Sequence, residues 1–448
     1  MTRVRAVIGV VTALALLVGC SSESTPLPNS SFPAGSSVTV SGEAAANSNP
    51  PLPTAESVTT TAAAAAPTAT TTEAPAVPTR NPALDQQLID AAWANDVALA
   101  TRLIDTGADV NAKDATVQSA YLIATSEGYV DLLELTLAHG GDVTSLDSYS
   151  GTGLIRAAER GHADIVGRLL QAGIVVNHVN RLGWTALDEA IVYGDGSQRY
   201  IDTVRALIAG GADLGRIAGD GQTPIENARA GGQDVIAGSL QLAIETPPPT
   251  ENDATTMLLS AAADGDADRV AVALRAGAPL ESRDEQGRTP LLLASANDRL
   301  DAAKLLSVLG ADPDAQDNQR DSAWLVTGVT GSVGMLEALL PTHPDLTLRN
   351  RFGGVSVIPA SERGHVDYVR RVVSTGIDLN HINDLGWTAM LEAIVYGDGS
   401  EPYQQIIDIL LDAGADPTIA DAQGVTPLQH AQTRGFDVIA ARLQAAGG

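Results

Sequence analysis

An all-α solenoid of about eleven helix–turn–helix units, set in two tandem arrays, is the fold class that three features of this 448-residue chain predict. A sequence phase returns every 33 residues. An apolar residue and an alanine stand at fixed distances after each phase mark. A shift of 203 residues lays the repetitive region on itself without a gap. A fixed period of this length is the signature of a stack of small units that bury their apolar faces on one another.

The chain starts with a targeting signal, which stands apart from the fold. Arg3 and Arg5 precede the apolar run Ala6 to Leu17, which is too short to span a bilayer stably. Leu17-Val18-Gly19-Cys20 closes it and resembles the lipobox of bacterial lipoproteins. The resemblance implies removal of residues 1–19, acylation of Cys20, and an extracytoplasmic protein (periplasm or cell surface) held to a membrane by that lipid. Cys20 is the single cysteine, so no disulfide forms within the chain. Residues 20–82 are rich in Ser, Thr, Ala and Pro and have almost nothing to build a core; they are expected to be a disordered tether.

The phase marks fall at 84, 117, 150, 183, 221, 254, 287, 320, 353, 386 and 424, with eight steps of 33 residues and two of 38. Four residues after each mark the side chain is apolar, from Leu88 and Tyr121 through Trp324 to Leu428. Seven after each mark it is alanine, except for Thr327. Positions i and i+3 share a helical face, so a first helix begins near each mark and presents its smallest side chain to a neighbour. Thr223-Pro224, Thr289-Pro290 and Thr426-Pro427 supply an N-cap and a first-turn proline. A second apolar run, such as Ile165-Val166 with Leu169-Leu170, ends near a glycine suited to the turn after a helix.

Gly287-Arg288-Thr289-Pro290-Leu291 through Gly310-Ala311-Asp312 resembles the ankyrin repeat, and the resemblance covers about residues 83–448. It implies paired helices linked by β-hairpin loops, with partners held at the hairpin tips and on the concave face of the first helices. His343-Pro344 departs from the pattern where Gly-Ala is usual. The units at 84 and 254 lack Thr-Pro and are expected to be polar-faced caps.

Under the shift of 203, Glu159-Arg160-Gly161-His162 falls on Glu362-Arg363-Gly364-His365, and Glu189 to Ser197 repeats letter for letter as Glu392 to Ser400. Pro247-Pro248-Pro249 interrupts the series. The expected organisation is one array over 83–244, a stiff Pro-rich elbow over 245–252, and a second array over 253–448. A single unbroken superhelix competes with it, because the phase survives the prolines.

The residue after each mark is small, polar or modest in size except at two matched positions, Trp184 and Trp387. An exposed tryptophan is a common binding hot spot. The preceding turns match as well: His178 and Asn180 against His381 and Asn383. Five extra residues in each long unit follow Tyr193 and Tyr396, whose position aligns with Trp93 on the groove side. These eight residues, Trp184, Trp387, His178, His381, Asn180, Asn383, Tyr193 and Tyr396, are the candidate partner-binding set. His162 and His365 are read as helix caps.

The formal net charge is −27, of which −26 lies beyond residue 80. Such a surface repels phosphate backbones, which argues against nucleic acid as a partner and suits basic ones. No Gly-rich phosphate loop, nucleophile elbow or metal-spaced His/Cys cluster is present, so neither an enzyme nor a cofactor is expected. The expected function is a scaffold that binds an unidentified protein. The competing reading is a receptor for a small ligand or cation at the Trp/Tyr/Asp-Gly-Ser inserts, although one carboxylate falls far short of a calcium loop.

Overall fold

The computed structural model describes residues 81–247 and 249–448. Cys20, the targeting signal and the tether up to residue 80 lie outside the described residues.

The described residues form helix pairs throughout. In the first array α1 (Pro82–Trp93) pairs with α2 (Val97–Asp105), α3 (Ala120–Glu127) with α4 (Val130–Ala138), and α5 (Gly153–Glu159) with α6 (Ala163–Gln171). Then come α7 (Ala186–Val192) with α8 (Gln198–Ala209) and α9 (Pro224–Ala230) with α10 (Asp234–Glu245). The second array begins with α11 (Glu251–Asp264) and α12 (Ala267–Arg275), then α13 (Pro290–Ala296) and α14 (Leu300–Val308), then α15 (Ala323–Thr330) and α16 (Val333–Leu339). It ends with α17 (Val357–Glu362) and α18 (Val366–Val372), α19 (Ala389–Val395) and α20 (Glu401–Asp412), and α21 (Pro427–Thr433) and α22 (Asp437–Ala445).

Each first helix packs on the next because its contact residue is small. Ala124, Ala157, Ala190, Ala228, Ala261, Ala294, Ala360, Ala393 and Ala431 are all fully buried. Thr327 is tolerated there because its hydroxyl is satisfied, donating to the Trp324 carbonyl at 2.7 Å and lying 2.7 Å from the Tyr368 hydroxyl. Threonines at 223, 289 and 426 start α9, α13 and α21 with proline at the first helical position, as the sequence implies.

The expected β-hairpin loops are turns without paired strands; the one β-bridge among the described residues joins Leu146 and Thr152. In each turn a backbone N–H donates to the carbonyl four residues on, as from Asp147 to Gly151 at 2.9 Å and from Asp284 to Arg288 at 3.2 Å. Where the phase mark falls in a turn it is left-handed, whether it is Gly287 (φ 79°) or Val117 (φ 66°), whereas Leu84 and Ala254 lie inside α1 and α11. At His343, where the usual glycine is missing, a 3-10 turn over Leu340–Thr342 precedes a left-handed histidine (φ 55°).

The stack of first helices runs from α1 to α9 and starts afresh at α11, which packs on α13. The apolar residues at the two far ends, Ile225 and Leu428, are accordingly only half-buried, while their equivalents inside each stack are buried. The second array meets the first through second helices: α12 lies across α8 and α10, and α14 across α6 and α8. The arrays therefore run back to back in opposite directions, and their first-helix faces point outward.

This junction is fitted at close range. Gly167 on α6 sits so near the Val308 carbonyl that a Cβ would collide with it. Gln171 Nε2 donates to the same carbonyl at 3.0 Å, and Arg275 donates to the Ala212 carbonyl at 2.6 Å. Arg205, buried, donates to Asp268 at 2.8 and 3.4 Å and lies 3.8 Å from Asp202 and 3.9 Å from Asp301. Removing one member of such a buried pair leaves an uncompensated charge. Gly167→Val is expected to leave helix content unchanged by circular dichroism while amide exchange accelerates in α6, α8, α12 and α14. Arg205→Ala is expected to destabilise the protein by about 3 kcal/mol in chemical denaturation.

Candidate functional site

Trp184 begins the unit that contains α7, and Tyr193 caps that helix at its C-terminal end. Trp184 stands just before the extended N-cap Thr185, outside the seven-residue helix, and its ring meets that of Tyr193 across the helix. Their centroids are 5.4 Å apart at an interplanar angle of 63°. Trp387 and Tyr396, which flank α19 in the same way, repeat the arrangement at 5.4 Å and 69°. Tyr193 is 52% exposed and Tyr396 54% exposed, and the tryptophans are half-buried. The Trp387 indole nitrogen is buried, so the surface this ring offers is carbon.

Exposed apolar side chains at the neighbouring hairpin tips enlarge each corner in matched fashion. Tyr149 and Leu182 flank the first, and Phe352 and Leu385 flank the second. Consecutive hairpins are stitched by the Arg181 N–H to the Tyr149 carbonyl at 2.9 Å, and by Asp384 to Phe352 at 3.0 Å. Trp93, 48% exposed, lies at the groove side of the first unit, outside these two corners.

The candidate set divides. Asn180 and Asn383 are buried, and both ends of each amide are engaged inside the fold. Asn180 Oδ1 accepts the Leu182 and Trp184 N–H groups at 3.0 Å each, while its Nδ2 donates to Glu189 at 2.6 Å. Asn383 does the same for Leu385, Trp387 and Glu392. Several other turns use Asp at this position, as at Asp284, and one uses Asn350; an aspartate could accept the same N–H groups but cannot donate to a glutamate. At Asn180 and Asn383 the amide also meets a buried glutamate, so these two residues hold the turn and leave the contact surface.

His178 and His381 also face inward in part. Their Nε2 atoms lie 2.8 Å from the Ser150 carbonyl and 2.7 Å from the Gly353 carbonyl, tying each hairpin to the preceding one. His162 and His365 do not cap helices with their side chains; each Nε2 reaches a carbonyl of the preceding unit, Ser126 at 3.2 Å and Val329 at 3.1 Å. A ring whose length spans two units is better placed to bridge them than to fold back on its own N-terminus. Burial pushes the His162 pKa down.

Glu189 and Glu392 were not singled out in the sequence, yet both lie beneath the corners. Each precedes its tyrosine by one helical turn, and each is buried. Burial raises both pKa values to about 7, against the hydrogen bonds from Asn180 and Asn383 that favour the charged form. Glu159 adds to the rise at Glu189, and Glu362 at Glu392. Burial first, then Glu189 and Glu159, raise the Tyr193 pKa as well. A glutamate beside the packing alanine in two letter-for-letter copies was the available signal.

The inserts do not gather ligands. Asp195 and Asp398 accept hydrogen bonds from the backbone of their own Ser197 and Ser400 at 2.9 Å, and these serines lower their pKa values. Part of each insert instead extends the second helix: α8 and α20 have 12 residues where α6 and α14 have 9. Tyr200 and Tyr403, near the start of those helices, donate to the Glu159 and Glu362 carbonyls at 3.1 Å. Among the described residues no group of three or more His, Cys, Asp or Glu is placed to hold a metal ion, and no helix is long and apolar enough to cross a membrane.

Stacked helix pairs joined by tight turns define a repeat-solenoid class of protein. A family profile described as "Ankyrin repeats (3 copies)" matches residues 121–218 and 228–317. The ankyrin repeat protein YahD of Escherichia coli (strain K12) is 40% identical over 190 residues, 42% of this chain and 94% of that protein. An ankyrin repeat domain from Acinetobacter baumannii AYE, known from a crystal structure, is 45% identical over 42% of this chain and 97% of its own, with a TM-score of 0.41. A second crystallised ankyrin repeat protein is 35% identical over 43% of this chain and 97% of its own, also with a TM-score of 0.41. The chain belongs to the ankyrin-repeat family. Ankyrin repeats point to a protein–protein interaction scaffold and are generally non-enzymatic.

A buried carboxyl whose folded pKa exceeds its ordinary value of 4.5 favours the fold when protonated. That contribution is complete below pH 4.5 and is lost as pH rises through about 7. Wild-type stability is therefore expected to fall between pH 5 and 8. Glu189→Gln/Glu392→Gln should remove that fall, gaining on the order of 1 kcal/mol per site at pH 8 in denaturant titrations.

Proposed function

We propose that this chain is a lipid-anchored extracytoplasmic scaffold that binds another protein through its two aromatic corners. The observation that carries the reading is the pairing of a half-buried tryptophan with an exposed tyrosine, made twice in the same geometry, Trp184 with Tyr193 and Trp387 with Tyr396. Large rigid rings left at the surface offer much contact area at low entropic cost. Their duplication on outward faces suits two copies of one partner, with the gain in avidity that two linked sites bring. Cys20 would carry the lipid and residues 20–82 would act as the spacer, a reading supported by Leu17-Val18-Gly19-Cys20.

Labelled palmitate is expected in the full chain and not in Cys20→Ala. Photo-crosslinking in native envelopes is expected to capture a protein with the wild type and lose it, tenfold or more, with Trp184→Ala/Trp387→Ala of unchanged helix content. Capture that is indifferent to both tryptophans would remove the corners as the binding surface.

A further inference from the structure

Resting on that reading, we infer that each aromatic corner receives a lysine or arginine side chain from a basic segment of the partner, with the side-chain stem against the rings and the cationic head toward the glutamates. Three observations meet here. The two rings meet edge to face at 5.4 Å, inclined by 63° and 69°, with the tyrosine half exposed, and a cation is attracted to an exposed aromatic face. The negative groups that act on Tyr193 in the first corner are Glu189, buried one helical turn before it, and Glu159, whose side chain is a quarter exposed. Glu392 and Glu362 are the equivalent residues of the second copy, and Glu362 acts on Glu392 there.

The way the two copies have diverged makes the charge argument sharper. In the first, Arg156 contacts Glu159 at 2.7 Å and Asp147 at 3.4 Å. In the second, both Arg156 and Asp147 have changed, to Pro359 and Asn350. One positive and one negative group are lost together. The sum over Asp147, Arg156, Glu159 and Glu189 is −2 and that over Asn350, Pro359, Glu362 and Glu392 is also −2 with every carboxyl ionised, while at the adjoining hairpin tips Arg181 gives way to Asp384 and Ser148 to Arg351. The surrounding surface, −26 beyond residue 80, draws the same kind of partner from further away. The chain also shows the contact chemistry itself: the Arg351 guanidinium stands 4.8 Å over the ring of Phe352, beside the second corner.

The test uses the full chain and three synthetic peptides of equal length: Lys/Arg-rich, Asn/Ser-rich and Glu-rich. Binding is followed by tryptophan fluorescence and calorimetry. The basic peptide is expected to bind at two sites per chain, at least tenfold more tightly than the other two. Trp184→Leu/Trp387→Leu, which keeps apolar bulk but removes the π-faces, should weaken it about tenfold. Glu189→Gln/Glu392→Gln, near-isosteric and so a check independent of any packing change, should weaken the basic peptide alone. Equal binding of the uncharged peptide overturns the inference and leaves an apolar docking surface. Basic-peptide binding that ignores all four substitutions overturns it in favour of diffuse attraction to an acidic surface. No binding by any peptide also overturns it, while crosslinking that still depends on the tryptophans would keep the scaffold reading intact.

Discussion

Close approach between successive first helices is the constraint on which everything else in this protein rests. The contact position admits alanine and almost nothing larger, and its members are buried completely from Ala124 to Ala431. Small side chains let each helix pair lie flat on the next, so the apolar residue three positions earlier fills the space between them. Tyr121 and Trp324 show how much volume that space accepts. Thr327 marks the limit, since a branched polar residue enters only with its hydroxyl bonded twice. Once the spacing is set, the hairpins fall in register and their tips form a row. Any surface the chain offers to a partner is drawn from that row and from the first helices behind it.

The first row ends at α9. After α9 the first-helix stack has no successor, and the next helix pair turns its second helix toward α8 and α10. A duplicated sequence has thus been put to two uses. The α6 face of the first array carries Gly167 and packs against the second, whereas the equivalent position on α18 is Arg370, exposed and paired with Asp367 at 2.6 Å. The copies agree at Trp, Tyr, Asn and Glu of the corners and disagree at the junction. That pattern fits two binding faces kept alike and one internal interface made once.

Within each corner the polar and aromatic groups depend on one another. Asparagine closes the turn that presents the tryptophan and also steadies the glutamate below the tyrosine. Partial neutralisation of that glutamate near pH 7 limits the cost of burying it, and a bound cation would favour its ionised form. The corner is therefore rigid in its aromatic parts and adjustable in its charge.

The helix pairs, the eleven-unit count and the duplicated Trp and Tyr positions were legible in the linear sequence. Period, apolar spacing and alanine at the contact are local requirements, and each repeat states them again. The roles of Asn180, Asn383, His162 and His365 were not legible, because a polar residue in a turn looks the same whether it faces solvent or a neighbouring repeat. Only packing told them apart: the amides satisfy a buried glutamate, and the imidazoles bridge adjacent units. Glu189 and Glu392 stayed hidden for the same reason, since their effect depends on burial and on carboxylates one repeat away. The back-to-back junction was beyond any local pattern. It joins residues more than 60 positions apart, such as Arg205 and Asp268, and no periodicity records a contact made once.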